Sequence, residues 1–136
     1  MRDAAAFAQG WAAAWNAHDL DAVMAHHAED VVFRSKKAVP IAGTALIRGK
    51  AALRAYWAEA LRRQPDLRFT VETVFEGPDL LVIAYRNHRG VRAAETLRFG
   101  PDGRVVEGSA CHAPRSAQEN DAPHSAPKKD APPPAA

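Results

Sequence analysis

The sequence predicts an α+β fold, with three helices in its first half and a meander of strands in its second. Three observations predict it. Apolar residues recur at helical spacing up to Arg63, as in Phe7, Trp11 and Trp15. From Phe69 onward the apolar period shortens to two. Turn signals at Gly77-Pro78-Asp79, Arg89-Gly90-Val91 and Gly100-Pro101-Asp102-Gly103 then divide that half into strands. Helices followed by strands, rather than alternating with them, exclude a parallel α/β sheet.

The elements follow in order. Residues 4–17 read as a helix capped by Asp3, with Phe7, Trp11 and Trp15 on one face. Asp19 caps a second helix, whose stripe is Leu20, Val23, Met24 and His27. Val31–Phe33 is a short strand, Lys36–Gly43 a loop or irregular edge around Pro40, and Ala45–Arg48 another short strand. The third helix runs from about Lys50 to Arg63 on an apolar face of Leu53, Tyr56, Trp57, Ala60 and Leu61, and Pro65 stops it. Then Phe69, Val71, Thr73 and Phe75 alternate with Thr70, Glu72, Val74 and Glu76. Leu80–His88, Ala94–Phe99 and Arg104–His112 are the remaining strands.

Length and charge bound the function. At 136 residues one domain is expected, placed at 1–112. Residues 113–136 hold six of the ten prolines and no Val, Ile, Leu, Phe, Tyr or Trp, so they read as a disordered tail. Eighteen basic against 16 acidic residues is too balanced for a nucleic-acid or membrane-surface binder. No apolar run suits a membrane span or a secretion signal. One cysteine, Cys111, precludes an internal disulfide, and a reducing cytoplasm is the expected location. An alanine- and arginine-rich composition suggests a bacterial source.

Several stretches together carry a family likeness: Trp11 to Asp21 (WAAAWNAHDLD), Ala28 to Phe33 (AEDVVF), Ile47 to Leu53 (IRGKAAL), Leu97 to Phe99 (LRF) and Gly103 to Val106 (GRVV). In order and spacing they resemble the nuclear transport factor 2-like superfamily, in its SnoaL-like, ketosteroid-isomerase-like branch. The resemblance covers about residues 4–112. It implies a cone, with three N-terminal helices packed in a strongly curved antiparallel sheet. It also implies a conical cavity for a small, largely apolar molecule, and a homodimer formed through the sheet. No cofactor is implied.

The ketosteroid isomerases of that branch use a carboxylate base, and a tyrosine and a protonated aspartic acid that donate to an oxyanion. Laid over this sequence, the tyrosine falls on Trp11, the base on Ser35, the acid on Glu95 and a supporting tyrosine on Trp57. Serine is no base near neutral pH without an activator, and indole is not as acidic as a phenol. The isomerase chemistry of that family is therefore not expected here.

Glu95 is the sharpest residue. It alternates with Leu97 and Phe99, so it should face an apolar interior with a raised pKa. Catalysis, ligand orientation and an ion pair with Arg86, Arg92 or Arg98 all remain open for it. Tyr85 and Asn87 continue the face of Leu81 and Ile83, either as pocket wall or, for Asn87, as part of the hairpin turn. Of Cys111 and His112 only one can face inward, and His112 could pair with Glu95 or Glu107 as an acid/base couple. His26 and His27 are adjacent helix positions about 100° apart and do not chelate together, so no metal is expected. Trp11, Trp15, Tyr56 and Trp57 are core residues that can also line a cavity. Three readings follow: a small-molecule-binding domain, a proton-transfer enzyme using Glu95, or a dimerisation module without a ligand.

Overall fold

The computed structural model describes residues 3–114. The predicted tail lies almost wholly outside them. Among the described residues there are four α-helices, α1 (Ala4–Asn16), α2 (Leu20–Met24), α3 (Val39–Ala42) and α4 (Lys50–Arg63). The described residues also form six strands, β1 (His27–Arg34), β2 (Leu46–Arg48), β3 (Thr70–Gly77), β4 (Leu80–Arg86), β5 (Arg92–Phe99) and β6 (Val105–His112). They form one mixed sheet in the order β2-β1-β6-β5-β4-β3. The architecture is the α+β cone, a curved and unclosed sheet around N-terminal helices. No helix among the described residues is long and apolar enough to cross a membrane.

The helix starts are set by their caps. Asp3 accepts a hydrogen bond from the Ala6 N–H at 3.0 Å, and Asp19 from the Ala22 N–H at 3.1 Å. Each satisfies an amide that the first helical turn leaves unpaired. Asn16, at the end of α1, pairs with the backbone of Phe69 on both sides: Nδ2 donates to its carbonyl at 2.9 Å and Oδ1 accepts from its N–H at 2.7 Å. One side chain thus replaces a strand neighbour for the segment entering β3. The His18 ring sits 3.0 Å from the Leu67 carbonyl and holds the same segment.

The structure corrects four readings. His27 is the first residue of β1 and not the end of a helical stripe, because α2 stops at Met24. It is nonetheless buried, and its Nδ1–H donates to the Val23 carbonyl at 3.0 Å. Residues 36–42 are not a plain loop. Ser35 caps a 3-10 turn at Lys36–Ala38, and Pro40 then occupies the first turn of α3, where its missing N–H costs nothing. The sheet is antiparallel except at one seam, next to the β2 edge, where β1 runs parallel to β6 and Phe33 lies opposite Gly108. Finally, Phe75 does not share the inward face of Phe69. A bulge between Val71 and Thr73 inserts Glu72 unpaired, so the later residues of β3 change face. Phe75 ends up 60% exposed, and Val74 turns inward against Ile83.

The core lies between the concave face of the sheet and α1, α2 and α4. Gly108 is needed there because a Cβ would come within 3.0 Å of the Phe33 ring. That ring lies across β6 where a larger residue would push it away.

Candidate functional site

Register fixes which side chains meet inside the cone. On β5, Glu95 lies opposite Ile83 of β4 and Ala110 of β6. Paired residues share a face, so all three point inward, together with Tyr85, Leu81 and Leu97. A cavity of about 10 Å³ remains among them, lined by Trp15, Phe33, Trp57, Phe69, Tyr85, Glu95 and Ala110. Its rings interlock. Trp57 meets Trp15 and Phe33 edge to face, each at 5.1 Å, and Phe69 lies 4.6 Å from Tyr85.

Glu95 is the one acidic side chain buried in this aromatic shell. The three arginines weighed as its partners are engaged elsewhere. Arg86 pairs with Glu72, Arg92 approaches Glu72 at 3.9 Å, and Arg98 pairs with Glu107 at 2.7 Å. Burial alone pushes the Glu95 carboxyl up to about 8, so its neutral form prevails at pH 7. The Tyr85 phenol is also driven well above its ordinary value, first by burial and then by Glu95. Trp15 Nε1 is buried and has no hydrogen-bond partner among the described residues. Glu95 and Trp15, whose indole N–H is buried without a partner among the described residues, therefore line the same small cavity. Their chemistry is to donate hydrogen bonds to an acceptor placed between them, and Glu95 can also exchange a proton.

The other candidate residues divide clearly. Trp15, Trp57 and Tyr85 line the cavity with Glu95. Trp11 lies outside that lining, stacked on Phe69 at 5.3 Å and edge-on to Tyr85. Tyr56 is buried beside Phe33, 6.5 Å between ring centres. Ser35 is buried, but its Oγ accepts the Lys37 N–H and serves the 3-10 turn. Asn87 closes the β4–β5 turn, its Oδ1 accepting from the N–H groups of Arg89 and Val91. His112 shares the inner face, opposite Ala93 and two residues further along β6 than Ala110. Cys111 is exposed on the outer face. Glu107 also faces outward, toward Arg98, so no couple forms between it and His112. Among the described residues no group of three or more His, Cys, Asp or Glu could hold a metal ion. Phe33, Phe69 and Ala110 were missed as lining residues. The alternation in AEDVVF is the signal that points Phe33 inward.

The model of the SnoaL-like domain matches residues 8–112. The chain belongs to the SnoaL-like family. A SnoaL-like protein of unknown function from Burkholderia thailandensis is 44% identical, with a TM-score of 0.78 over 82% of this chain and 94% of that one. A protein of the nuclear transport factor 2-like superfamily from Mesorhizobium loti is 28% identical, with a TM-score of 0.64 over 82% and 91% of the two chains. Another from Burkholderia pseudomallei shares the fold at 17% identity and a TM-score of 0.67, over 83% and 92%. Both are likewise of unknown function. No curated protein gives a significant match. The SnoaL-like span contains every residue that lines the Glu95 cavity.

Proposed function

We propose that this SnoaL-like protein binds a small, largely apolar molecule in the cone, with Glu95 as the polar centre of the site. One observation carries the reading: Glu95, a buried carboxyl with no ion pair among the described residues, lines the same cavity as Trp15, whose indole N–H is buried without a partner among them. Burying a polar group without a partner, as the Trp15 N–H is buried, costs about 1–3 kcal/mol. A core needed for folding alone gains nothing from that cost, whereas a ligand carbonyl or hydroxyl answers both groups. The aromatic walls suit a flat or apolar body. Proton transfer is the chemistry Glu95 offers such a ligand, since a pKa of about 8 lies near working pH. The protein is read as a bacterial, cytoplasmic one, where the exposed Cys111 thiol stays reduced.

The size of the cavity favours a second reading. About 10 Å³ holds roughly one water molecule, whereas ligand pockets run to about 300–1,000 Å³. Ligand entry therefore requires the rings of α4 or the β4–β5 turn to move. A module that only dimerises needs no such movement.

Tryptophan fluorescence separates the two readings. Wild type and Glu95→Gln are titrated with steroids, terpenoids, polycyclic aromatics and fatty acids. Saturable quenching by one class, altered in affinity by the substitution, is the expected result. Silence from every class in both proteins overturns the pocket and leaves the dimerisation module.

The partner in either reading is a second copy of the chain, met through the outer face of the sheet. Register aligns Phe75, Val82, Thr96 and Ser109 in one outward row and Thr73, Ala84, Ala94 and Cys111 in the next. These uncharged rows lie between the Arg86–Glu72 pair at one end and the Arg98–Glu107 pair at the other. An uncharged centre with a charged rim is the anatomy of a self-complementary interface. Phe75→Asp is expected to convert the dimer to a monomer in sedimentation velocity. A monomeric wild type at micromolar concentration counts against the interface.

A further inference from the structure

The cavity beside Glu95 has a helix wall and a sheet wall. Trp15 of α1 and Trp57 of α4 belong to the first, and Phe33 of β1, Tyr85 of β4, Glu95 of β5 and Ala110 of β6 to the second. Each wall carries hydrogen-bonding groups. On the helix side the Trp15 indole N–H is buried without a partner among the described residues. An indole N–H only donates, so whatever answers it must be an acceptor. On the sheet side Glu95 pairs with Ile83, and Tyr85 follows Ile83 by two residues on the same face. Glu95 is felt electrostatically at the Tyr85 phenol, and it has no ion pair among the described residues.

The volume of about 10 Å³ sets the size of the occupant. It is close to the least space that admits one water molecule. A cavity lined by hydrocarbon alone stays dry, whereas a polar one holds a water that makes about three hydrogen bonds. Trp15, Glu95 and Tyr85 supply that number from this lining. A carboxyl that burial pushes up to about 8 is mostly neutral at pH 7, so Glu95 can both donate and accept.

We propose that one buried water bridges the helix wall to the sheet wall, accepting from Trp15 Nε1–H and bonding to the Glu95 carboxyl and the Tyr85 phenol. It answers the Trp15 N–H and ties α1 to β4 and β5 through a single molecule. It also gives the Glu95 proton a partner to pass to in the unliganded protein. The water itself requires no ligand. One consequence rests on the pocket reading above: a ligand that reaches Glu95 displaces this water and has to return its hydrogen bonds.

Water–protein NMR on the full chain tests it. The Trp15 indole proton, told from those of the two other tryptophans by its own spin system, is expected to show a cross-peak at the water frequency. In the rotating frame that peak should carry the sign of a bound molecule and not that of proton exchange. Oxygen-17 relaxation dispersion should then count one long-lived water fewer in Ala110→Val, whose added methyl groups take the space. The wild-type cross-peak needs no variant, so a folding defect in Ala110→Val leaves the test intact. No bound-water peak at the Trp15 indole proton, or an unchanged count in a folded Ala110→Val, overturns the water. The fluorescence panel is read separately: silence there removes the pocket and leaves the water standing.

Discussion

Glu95→Gln should abolish the fall in stability that the wild-type protein shows between pH 6.5 and 8. In the unfolded chain the Glu95 proton leaves near 4.5, whereas the fold holds it to about 8. Between those values the native state binds the extra proton, so stability declines as pH rises. Fully realised, that gap corresponds to roughly 5 kcal/mol, an upper figure because the buried group gains water or rearranges before it ionises. His27 works in the opposite sense. Burial lowers its pKa from 6.5 to about 4, so its neutral burial favours the unfolded state as pH falls through that range. The two slopes oppose one another between pH 4.5 and 6.5, and Glu95 alone of the two acts above 6.5. Urea unfolding at pH 6.5, 7.25 and 8 measures the effect. The variant should be flat where the wild type declines, and more stable than it at pH 8. Parallel curves for the two proteins would mean that Glu95 is ionised in the native state and reaches solvent.

Trp57→Ala is expected to cost about 3–5 kcal/mol, the usual loss for an aromatic removed from a core. Against a typical total of roughly 5–15 kcal/mol this is a large share. Trp57 is 2% exposed and joins three elements: it meets Trp15 of α1 and Phe33 and His27 of β1 edge to face, within 5.2 Å. Each such pair adds about 0.5–1.5 kcal/mol beyond the buried area. The hole would merge with the cavity beside Glu95. Trp57→Phe should lose less, because a ring still fills most of the space. Denaturant midpoints at constant m-value check both, and a loss under about 1 kcal/mol for the alanine variant would show a wall that collapses readily.

The sequence made some of this plain and hid the rest for identifiable reasons. Asp3 and Asp19 were legible as caps because capping is decided within four residues. The inward Glu95 was legible because β5 keeps strict alternation from Ala93 to Phe99. Phe75 was misread because the bulge at Glu72 is invisible to a period-two pattern, and one unpaired residue reverses every side chain after it. The parallel contact of β1 with β6 depends on residues far apart in the chain, which no local pattern carries. Trp11 and Trp15 occupy the same helical stripe, and only the packing of Phe69 between Trp11 and the interior decides that Trp15 lines the cavity.

The parallel pair of β1 and β6 also dictates an order of events. Phe33 and Gly108 are about 75 residues apart, so most of the domain must be gathered before β1 can lie beside β6. The hairpins β3–β4, β4–β5 and β5–β6 close far shorter loops and can form earlier, since loop entropy grows with length. Ala110 and Phe33, on opposite sides of that late seam, are both walls of the Glu95 cavity. The cavity is therefore among the last features to mature during folding, and a molecule seated in it would slow unfolding far more than it would hasten folding.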